Sequence, residues 1–274
     1  MNKLIPRHQL NTDSGVRSGA AQPLHRALRA MRKVPEITVY FWIIKLLTTA
    51  MGESTTDYLV YQINPYVAVA LGCIGLAVAL ILQLLVRRYV AWVYWLAVVM
   101  VAVFGTMVAD VAHVVLGIPY LVSTAFFASA LAIIFVTWYV SEKTLSIHTI
   151  YSGRREMFYW ATVMATFALG TAAGDMTAST LRLGYFPSFV LFAVLFALPA
   201  LAYWLFGLNE IVAFWFAYIV TRPLGATFAD WLGKPYLGGL GLSDAKVALV
   251  LTMLIIGFVG YLTVTRKDMK GEQQ

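Results

Sequence analysis

The chain has 274 residues, of which 61% are hydrophobic and 12% are charged, and its formal net charge is +7. Soluble domains are about half apolar and about a quarter charged, so this composition excludes an ordinary soluble domain. The single cysteine, Cys73, excludes a disulfide or a cysteine-based metal site within one chain. The apolar residues gather into runs of about 20, long enough to cross the roughly 30 Å hydrocarbon core of a bilayer. We therefore predict an all-α, polytopic membrane protein.

Turn and charge signals divide the chain into eight predicted membrane helices. They cover residues 37–59, 65–86, 90–116, 120–141, 156–180, 186–206, 209–232 and 245–265. A basic tail over residues 1–33 precedes this transmembrane domain, which spans 34–266, and a second tail covers 267–274. In the first tail, apolar residues spaced at i, i+4 and i+7 alternate with arginines over 23–33, which predicts a short basic helix on an anionic inner leaflet.

The basic residues are divided unequally between the two sides of the membrane. Of the 20 Lys and Arg residues, 15 lie in the two tails or in the loops after the second and fourth spans. The opposite side has three, which are Arg182, Lys234 and Lys246, and two more, Lys45 and Arg222, fall within spans. Because cytoplasmic loops carry the excess of positive charge, we expect both termini in the cytoplasm. The charge of +7 thus reflects topology and does not indicate nucleic-acid binding.

One residue spacing occurs four times: Trp, nine residues, Gly, four residues, Asp. The copies are Trp42/Gly52/Asp57, Trp95/Gly105/Asp110, Trp160/Gly170/Asp175 and Trp215/Gly225/Asp230. All four lie in odd-numbered spans, so the unit is a two-helix hairpin, repeated over about 34–88, 89–142, 154–207 and 208–265. Since each unit has two spans, the repeats are parallel. They suit either a pseudo-fourfold ring or two halves of two units each.

The three residue types of the motif predict different roles. The tryptophans lie near the cytoplasmic helix ends, where an aromatic belt is the ordinary explanation, and the glycines favour close helix packing. A carboxylate at membrane depth is costly unless it faces protein or water, so the aspartates are functional candidates. Under pseudo-symmetry they converge on one ring or two pairs, which suits a hard cation or a proton relay. Alternatively, each aspartate only hydrogen-bonds a neighbouring repeat and fixes the assembly.

Four further polar residues break the symmetry of the repeats. Glu53 lies one turn below Asp57, and His113 lies three residues after Asp110, where the pair could ligate a transition metal or pass protons. A histidine satisfied by hydrogen bonds is the alternative. Lys45 and Arg222 could form internal ion pairs or take part in gating, and Arg222 could also bind an anion. The excess of acids over bases within the spans favours a cation.

Three segments give the chain a family resemblance. They are Lys33-Val-Pro-Glu-Ile-Thr-Val-Tyr-Phe-Trp42, Gly170-Thr-Ala-Ala-Gly-Asp175 and Thr221-Arg-Pro-Leu-Gly-Ala-Thr-Phe-Ala-Asp-Trp231. Over residues 33–265 the chain resembles the bacterial membrane proteins built from a repeat of unknown function and labelled uncharacterised membrane-anchored proteins. The resemblance implies an inner-membrane location and supplies no activity.

The motifs of common enzymes are missing from the sequence. It contains no Gly-x-Ser-x-Gly, His-Glu-x-x-His, Walker or dinucleotide-binding pattern, so we expect neither an enzyme, nor a cofactor, nor ATP-driven transport by this chain alone. Two functions remain. One is a secondary-active or proton-coupled transporter or exporter of a small cation, divalent metals included. The other is a non-transporting scaffold or sensor. The expected partners are the lipid bilayer and a small cation or proton.

Overall fold

A computed structural model of the protein describes residues 32–151 and 153–269, and over these ranges it contains helices and no strands. Eight long helices are present in this part of the chain. They are α1 (Val39–Gln62), α2 (Pro65–Leu85), α3 (Ala91–Asp110), α4 (Tyr120–Glu142), α5 (Arg154–Asp175), α6 (Tyr185–Phe206), α7 (Glu210–Gly233) and α8 (Asp244–Thr265). Short π-helical segments, Val111–Val115 and Met176–Thr180, extend α3 and α5. The predicted all-α fold is confirmed.

The helix ends lie where the sequence places its turn signals. The Asn64 side chain accepts a hydrogen bond from the Tyr66 amide and Pro65 follows it, which starts α2. The Asn209 side chain caps α7 in the same way. Gly207 ends α6 at a φ of 66°, a left-handed conformation that glycine adopts without strain. Local chemistry therefore sets these boundaries before any packing is considered.

Six of the eight helices are long and apolar enough to cross a membrane. The other two, α1 and α5, have comparable lengths of 24 and 22 residues but carry more charged and polar side chains. These two helices lie at the centre of the protein, where protein surrounds their polar groups. The apolar outer helices expose residues such as Val78, Ile133 and Ile256, as expected for a surface that faces lipid.

The four odd-numbered helices form a closed ring, which we call the helix ring. Helix α1 packs on α3, α3 on α5, α5 on α7 and α7 again on α1. The even-numbered helices surround this ring, and each packs mainly on the odd helix of the next unit: α2 on α3, α4 on α5, α6 on α7 and α8 on α1. The arrangement is a pseudo-fourfold ring and not two separate halves.

The repeat glycines lie at the four contacts of the helix ring. If each glycine were replaced by alanine, the new methyl group would approach a Cβ atom on the ring helix of the next unit. The residue that carries this Cβ atom lies three positions before the repeat glycine of that unit. The distance would be 2.5 Å from Gly52 to Ala102, 2.6 Å from Gly105 to Phe167, 2.5 Å from Gly170 to Arg222 and 2.6 Å from Gly225 to Thr49. These contacts join equivalent levels of neighbouring helices, so the ring helices run parallel.

The repeat tryptophans do not form an aromatic belt, and that expectation is wrong. Trp95, Trp160 and Trp215 are at most 6% exposed. Each repeat tryptophan packs against the aromatic residue that precedes the tryptophan of the unit before it. The ring centroids are 5.7 Å apart for Phe41–Trp95, 5.7 Å for Tyr94–Trp160, 6.3 Å for Tyr159–Trp215 and 5.8 Å for Phe214–Trp42. The tryptophans thus hold the helix ring together.

The end of the ring near the chain termini is closed by loops. The predicted basic helix over 23–33 lies largely outside the described residues, but Lys33 does not face a leaflet surface. It is 2% exposed, and its ammonium lies 2.6 Å from the Glu156 carboxylate at the start of α5. Beside it, the Tyr89 hydroxyl donates to Asp268 at 2.6 Å. The segments before α1 and after α8 are therefore bound to this end of the ring.

Candidate functional site

One stripe of equivalent residues on each ring helix includes the buried charged and aromatic side chains of the ring interior. The stripe takes every fourth residue and ends at the repeat aspartate, so the four helices contribute five layers of four residues. From the termini side these layers are Phe41/Tyr94/Tyr159/Phe214, Lys45/Val98/Val163/Tyr218, Thr49/Ala102/Phe167/Arg222, Glu53/Thr106/Thr171/Ala226 and Asp57/Asp110/Asp175/Asp230. We call the first the aromatic layer and the last the acid layer. The 16 residues below the acid layer are at most 7% exposed.

Arg222 joins all four units two layers below the aspartates. Its Nη2 lies 2.7 Å from Glu53 Oε2 and donates to Thr171 Oγ1 at 2.6 Å, and it also contacts the Thr106 hydroxyl. Its Nη1 donates to the Thr49 carbonyl at 3.1 Å. Arg222 is 0% exposed and Glu53 2%. The expected internal ion pair of Arg222 is therefore formed with Glu53, and it closes the ring axis beneath the acid layer.

Lys45 lies one layer further from the aspartates and is 1% exposed. Its ammonium lies 3.9 Å from the centroid of the Phe167 ring and 4.1 Å from that of Tyr218. Within residues 32–151 and 153–269 it has neither a carboxylate within 4.0 Å nor a hydrogen-bond acceptor. The expectation of an ion pair for Lys45 is therefore wrong in this structure, because two aromatic faces take the place of a carboxylate.

The structure brings the acidic candidates together at the end of the ring opposite the termini. Carboxylate oxygens of Glu53, Asp175 and Asp230 all lie within 4.8 Å of one another. The Lys234 ammonium lies 2.8 Å from Asp230 and 3.0 Å from Asp57, which joins units four and one. Asp110 occupies the equivalent position on α3, in the same layer of the helix ring. The four repeat aspartates thus share one site.

Positive charge does not balance this site. Five carboxyl groups, those of the acid layer and Glu53, face two cations, Arg222 and Lys234. Asp110 and Asp175 form no ion pair and no side-chain hydrogen bond among the described residues. Asp57, Asp110 and Asp175 are half-buried, whereas Asp230 is 2% exposed. A group of carboxyl oxygens that outnumbers its cations favours a hard cation.

The structure does not bring His113 into this group. Its Nδ1 lies 3.0 Å from the Ile118 carbonyl and its Nε2 lies 3.3 Å from the Ser123 hydroxyl. Its ring also packs against Tyr120, with the centroids 4.1 Å apart. Because both ring nitrogens have partners, the predicted Asp110/His113 metal pair is wrong, and the alternative of a satisfied histidine describes this residue.

Three residues of the site were missed in the sequence. Lys234 was counted as a loop charge, and Thr106 and Thr171 went unnoticed. A signal exists for all three. The threonines occupy the position directly after the repeat glycine, where unit one has Glu53, and Lys234 continues the stripe four residues beyond Asp230. Alignment of the four copies by their shared Trp, Gly and Asp positions would have identified these three residues.

Two of the four aspartates precede a change in helix geometry. The π-helical segments Val111–Val115 and Met176–Thr180 begin directly after Asp110 and Asp175, which are the aspartates without an ion pair. Single π-helical turns within helices are frequent at functional sites. Units two and three therefore differ from units one and four both in backbone and in charge pairing.

Comparison with known families matches the whole membrane domain. The sequence matches the family described as "Repeat of Unknown Function (DUF347)" four times, over residues 40–89, 93–144, 158–208 and 213–268. Each match covers one two-helix unit. No curated protein and no solved structure is similar to the chain. The protein thus belongs to the family built from this repeat.

Proposed function

We propose that the protein transports a small cation across the bacterial inner membrane, with the acid layer and Glu53 as the binding site. The observation that carries the proposal is that four carboxyl groups, those of Glu53, Asp57, Asp175 and Asp230, meet at one end of a closed helix ring, where Asp110 occupies the equivalent position of unit two. Ionisable groups at membrane depth are retained where ions or protons pass. The absence of a nucleotide-binding motif favours transport driven by an ion or proton gradient.

The arrangement of layers supports access from one side. Three of the four aspartates of the acid layer are half-buried at one end, and the Arg222–Glu53 pair lies below them. The aromatic layer follows at the opposite end and is buried. With both termini in the cytoplasm, as the positive charges favour, the acid layer faces outward and the aromatic layer closes the cytoplasmic side. Transport would require the Arg222 layer and the aromatic layer to open, as in other transporters that alternate access.

The second candidate is a scaffold or sensor in which the aspartates only hold the repeats together. One observation favours it, because Lys234 connects Asp230 of unit four with Asp57 of unit one. The same observation does not account for Asp110 and Asp175, which have no such partner in the described chain. A purely structural role leaves these two carboxylates as an uncompensated cost.

A deletion strain grown across a panel of metal salts is expected to identify the cation. Purified protein in liposomes should then pass that cation, and replacement of the four aspartates by asparagine should lower the flux at least about tenfold, because oxygen-ligand charge sets cation affinity. Glu210→Gln is the matched control, since Glu210 is exposed at the other end of α7. Flux at the wild-type rate through the fourfold variant would refute the proposal.

A further inference from the structure

Lys234 places a cation of the protein itself in the acid layer. Its ammonium pairs with Asp57 and Asp230, and its side chain is 12% exposed. The ammonium therefore occupies carboxylate oxygens that a substrate cation would need.

Asp230 is the ligand for which Lys234 and a substrate cation would compete. Its carboxylate belongs to the group with Glu53 and Asp175 whose oxygens lie within 4.8 Å of one another. The same carboxylate lies 2.8 Å from the Lys234 ammonium. A cation bound by these three carboxylates would compete with Lys234 for Asp230, because two unshielded positive charges at this separation repel each other strongly.

The connection after α7 holds the backbone of Lys234 in place. The Leu240 amide donates to the Trp231 carbonyl at 2.6 Å, and the Gly241 amide donates to the Lys234 carbonyl at 3.2 Å. These bonds fold the loop back onto the end of α7. The flexible four-carbon stem of a lysine can then carry the ammonium away from the aspartates without movement of the helix.

We propose that Lys234 is a tethered cation that occupies the acid layer when substrate is absent, and that the transported cation must displace it. The inference rests on the proposed function. It assigns Lys234 as the residue that sets the affinity of the site for the transported cation. When the Lys234 ammonium occupies the site for most of the time, the apparent affinity for the cation falls in proportion to the fraction of free sites.

Binding of Mn²⁺ to the purified full-length protein tests the inference, with electron paramagnetic resonance reporting the free ion. Lys234→Met removes the competitor, so we expect it to raise the Mn²⁺ affinity at least about tenfold. Lys234→Arg retains the charge and should stay within about threefold of the wild type. A merely structural role for Lys234 predicts that Lys234→Met lowers the Mn²⁺ affinity, because loss of the ion pairs between units one and four would disorder the site.

A second measurement needs no variant. Acetylation of lysines in the wild-type protein, read by mass spectrometry, should modify Lys234 faster when Mn²⁺ is added, because the displaced ammonium becomes accessible. Lys246 is the control, since it is exposed at the start of α8 and should react at the same rate with and without the ion.

The outcomes separate the two proposals. If the wild type binds Mn²⁺ and Asp175→Asn abolishes binding, but Lys234→Met leaves the affinity unchanged or lower and Lys234 stays unreactive, then the tethered-cation inference is overturned and the transport proposal stands. If neither the wild type nor Lys234→Met binds Mn²⁺ or the cation that the growth panel identifies, both are overturned.

Discussion

Replacement of Arg222 by methionine is expected to lower the free energy of unfolding by about 3–5 kcal/mol, the cost of breaking a buried ion pair by removal of one partner. The change leaves the Glu53 carboxylate, 2% exposed, without its cation. It also removes the donor that joins Thr49, Thr106 and Thr171 from the other three ring helices. Thermal or denaturant unfolding in detergent measures the loss.

The double variant Arg222→Met/Glu53→Gln is the control for this prediction. It removes both charges, so it should recover more than half of the lost stability, because a neutral buried amide costs far less than an unpaired carboxylate. A single variant as stable as the wild type, or a double variant less stable than the single one, would contradict the assignment of Arg222 as the group that joins the four units.

Alanine at the ring glycines is expected to lower the free energy of unfolding by about 1–3 kcal/mol, the usual cost of inserting a methyl group into a packed interface. Gly170→Ala is the clearest case, since its new Cβ would lie 2.5 Å from Arg222 Cβ and 2.9 Å from Pro223 Cδ. The neighbouring helix would have to move, and it carries the central arginine. Unfolding of the purified variant tests this.

Helix α8 offers a matched control for the glycine prediction. No heavy atom lies within 4 Å of a Cβ built at Gly257. Gly257→Ala should therefore leave stability unchanged or raise it by up to about 1 kcal/mol, the difference in helix propensity. Equal effects of Gly257→Ala and Gly170→Ala would show that the ring glycines are not contact points.

The helices of this fold are predictable from the sequence, and their arrangement is only partly so. Apolar runs and signals such as Asn64-Pro65 locate the helices, because they act locally. The Trp, Gly and Asp spacing occurs in four copies, which shows that the units are equivalent and parallel. The copies end at Asp57, Asp110, Asp175 and Asp230. The spacing does not show which faces meet, since a ring and two halves both satisfy it. The packing of each even helix on the following unit depends on long-range contacts that leave no spacing signal.

The acidic residues of the candidate site were predictable from the sequence, but the residues that contact its other polar side chains were not. The repeat marks the four aspartates because carboxyl groups that recur at equivalent positions within membrane spans are costly unless they face protein or water. His113 was misjudged because its partners, the Ile118 carbonyl and the Ser123 hydroxyl, come from a turn and a neighbouring helix. Lys45 was expected to pair with a carboxylate, but its ammonium packs against the Phe167 and Tyr218 rings instead. Each error concerns a side chain whose neighbours depend on tertiary packing.

The ring converts a symmetric repeat into an asymmetric site. The glycines and tryptophans are shared by all units and build the helix ring. The residues that differ between units, Glu53, Arg222 and Lys234 among them, supply charge on one side of the axis only. Asp110 and Asp175 have no ion pair among the described residues. The residues that pack the ring and the residues that carry charge thus occupy different positions of the same repeat.

The most direct test of the proposed function is cation flux through protein carrying Asp175→Asn. Asp175 has no ion pair in the described chain, so the change should leave thermal stability within about 1 kcal/mol of the wild type, as for a side chain without partners. If the acid layer binds the transported cation, flux should fall at least about tenfold, because one charged oxygen ligand is lost. Flux at the wild-type rate with folded protein present would contradict the account.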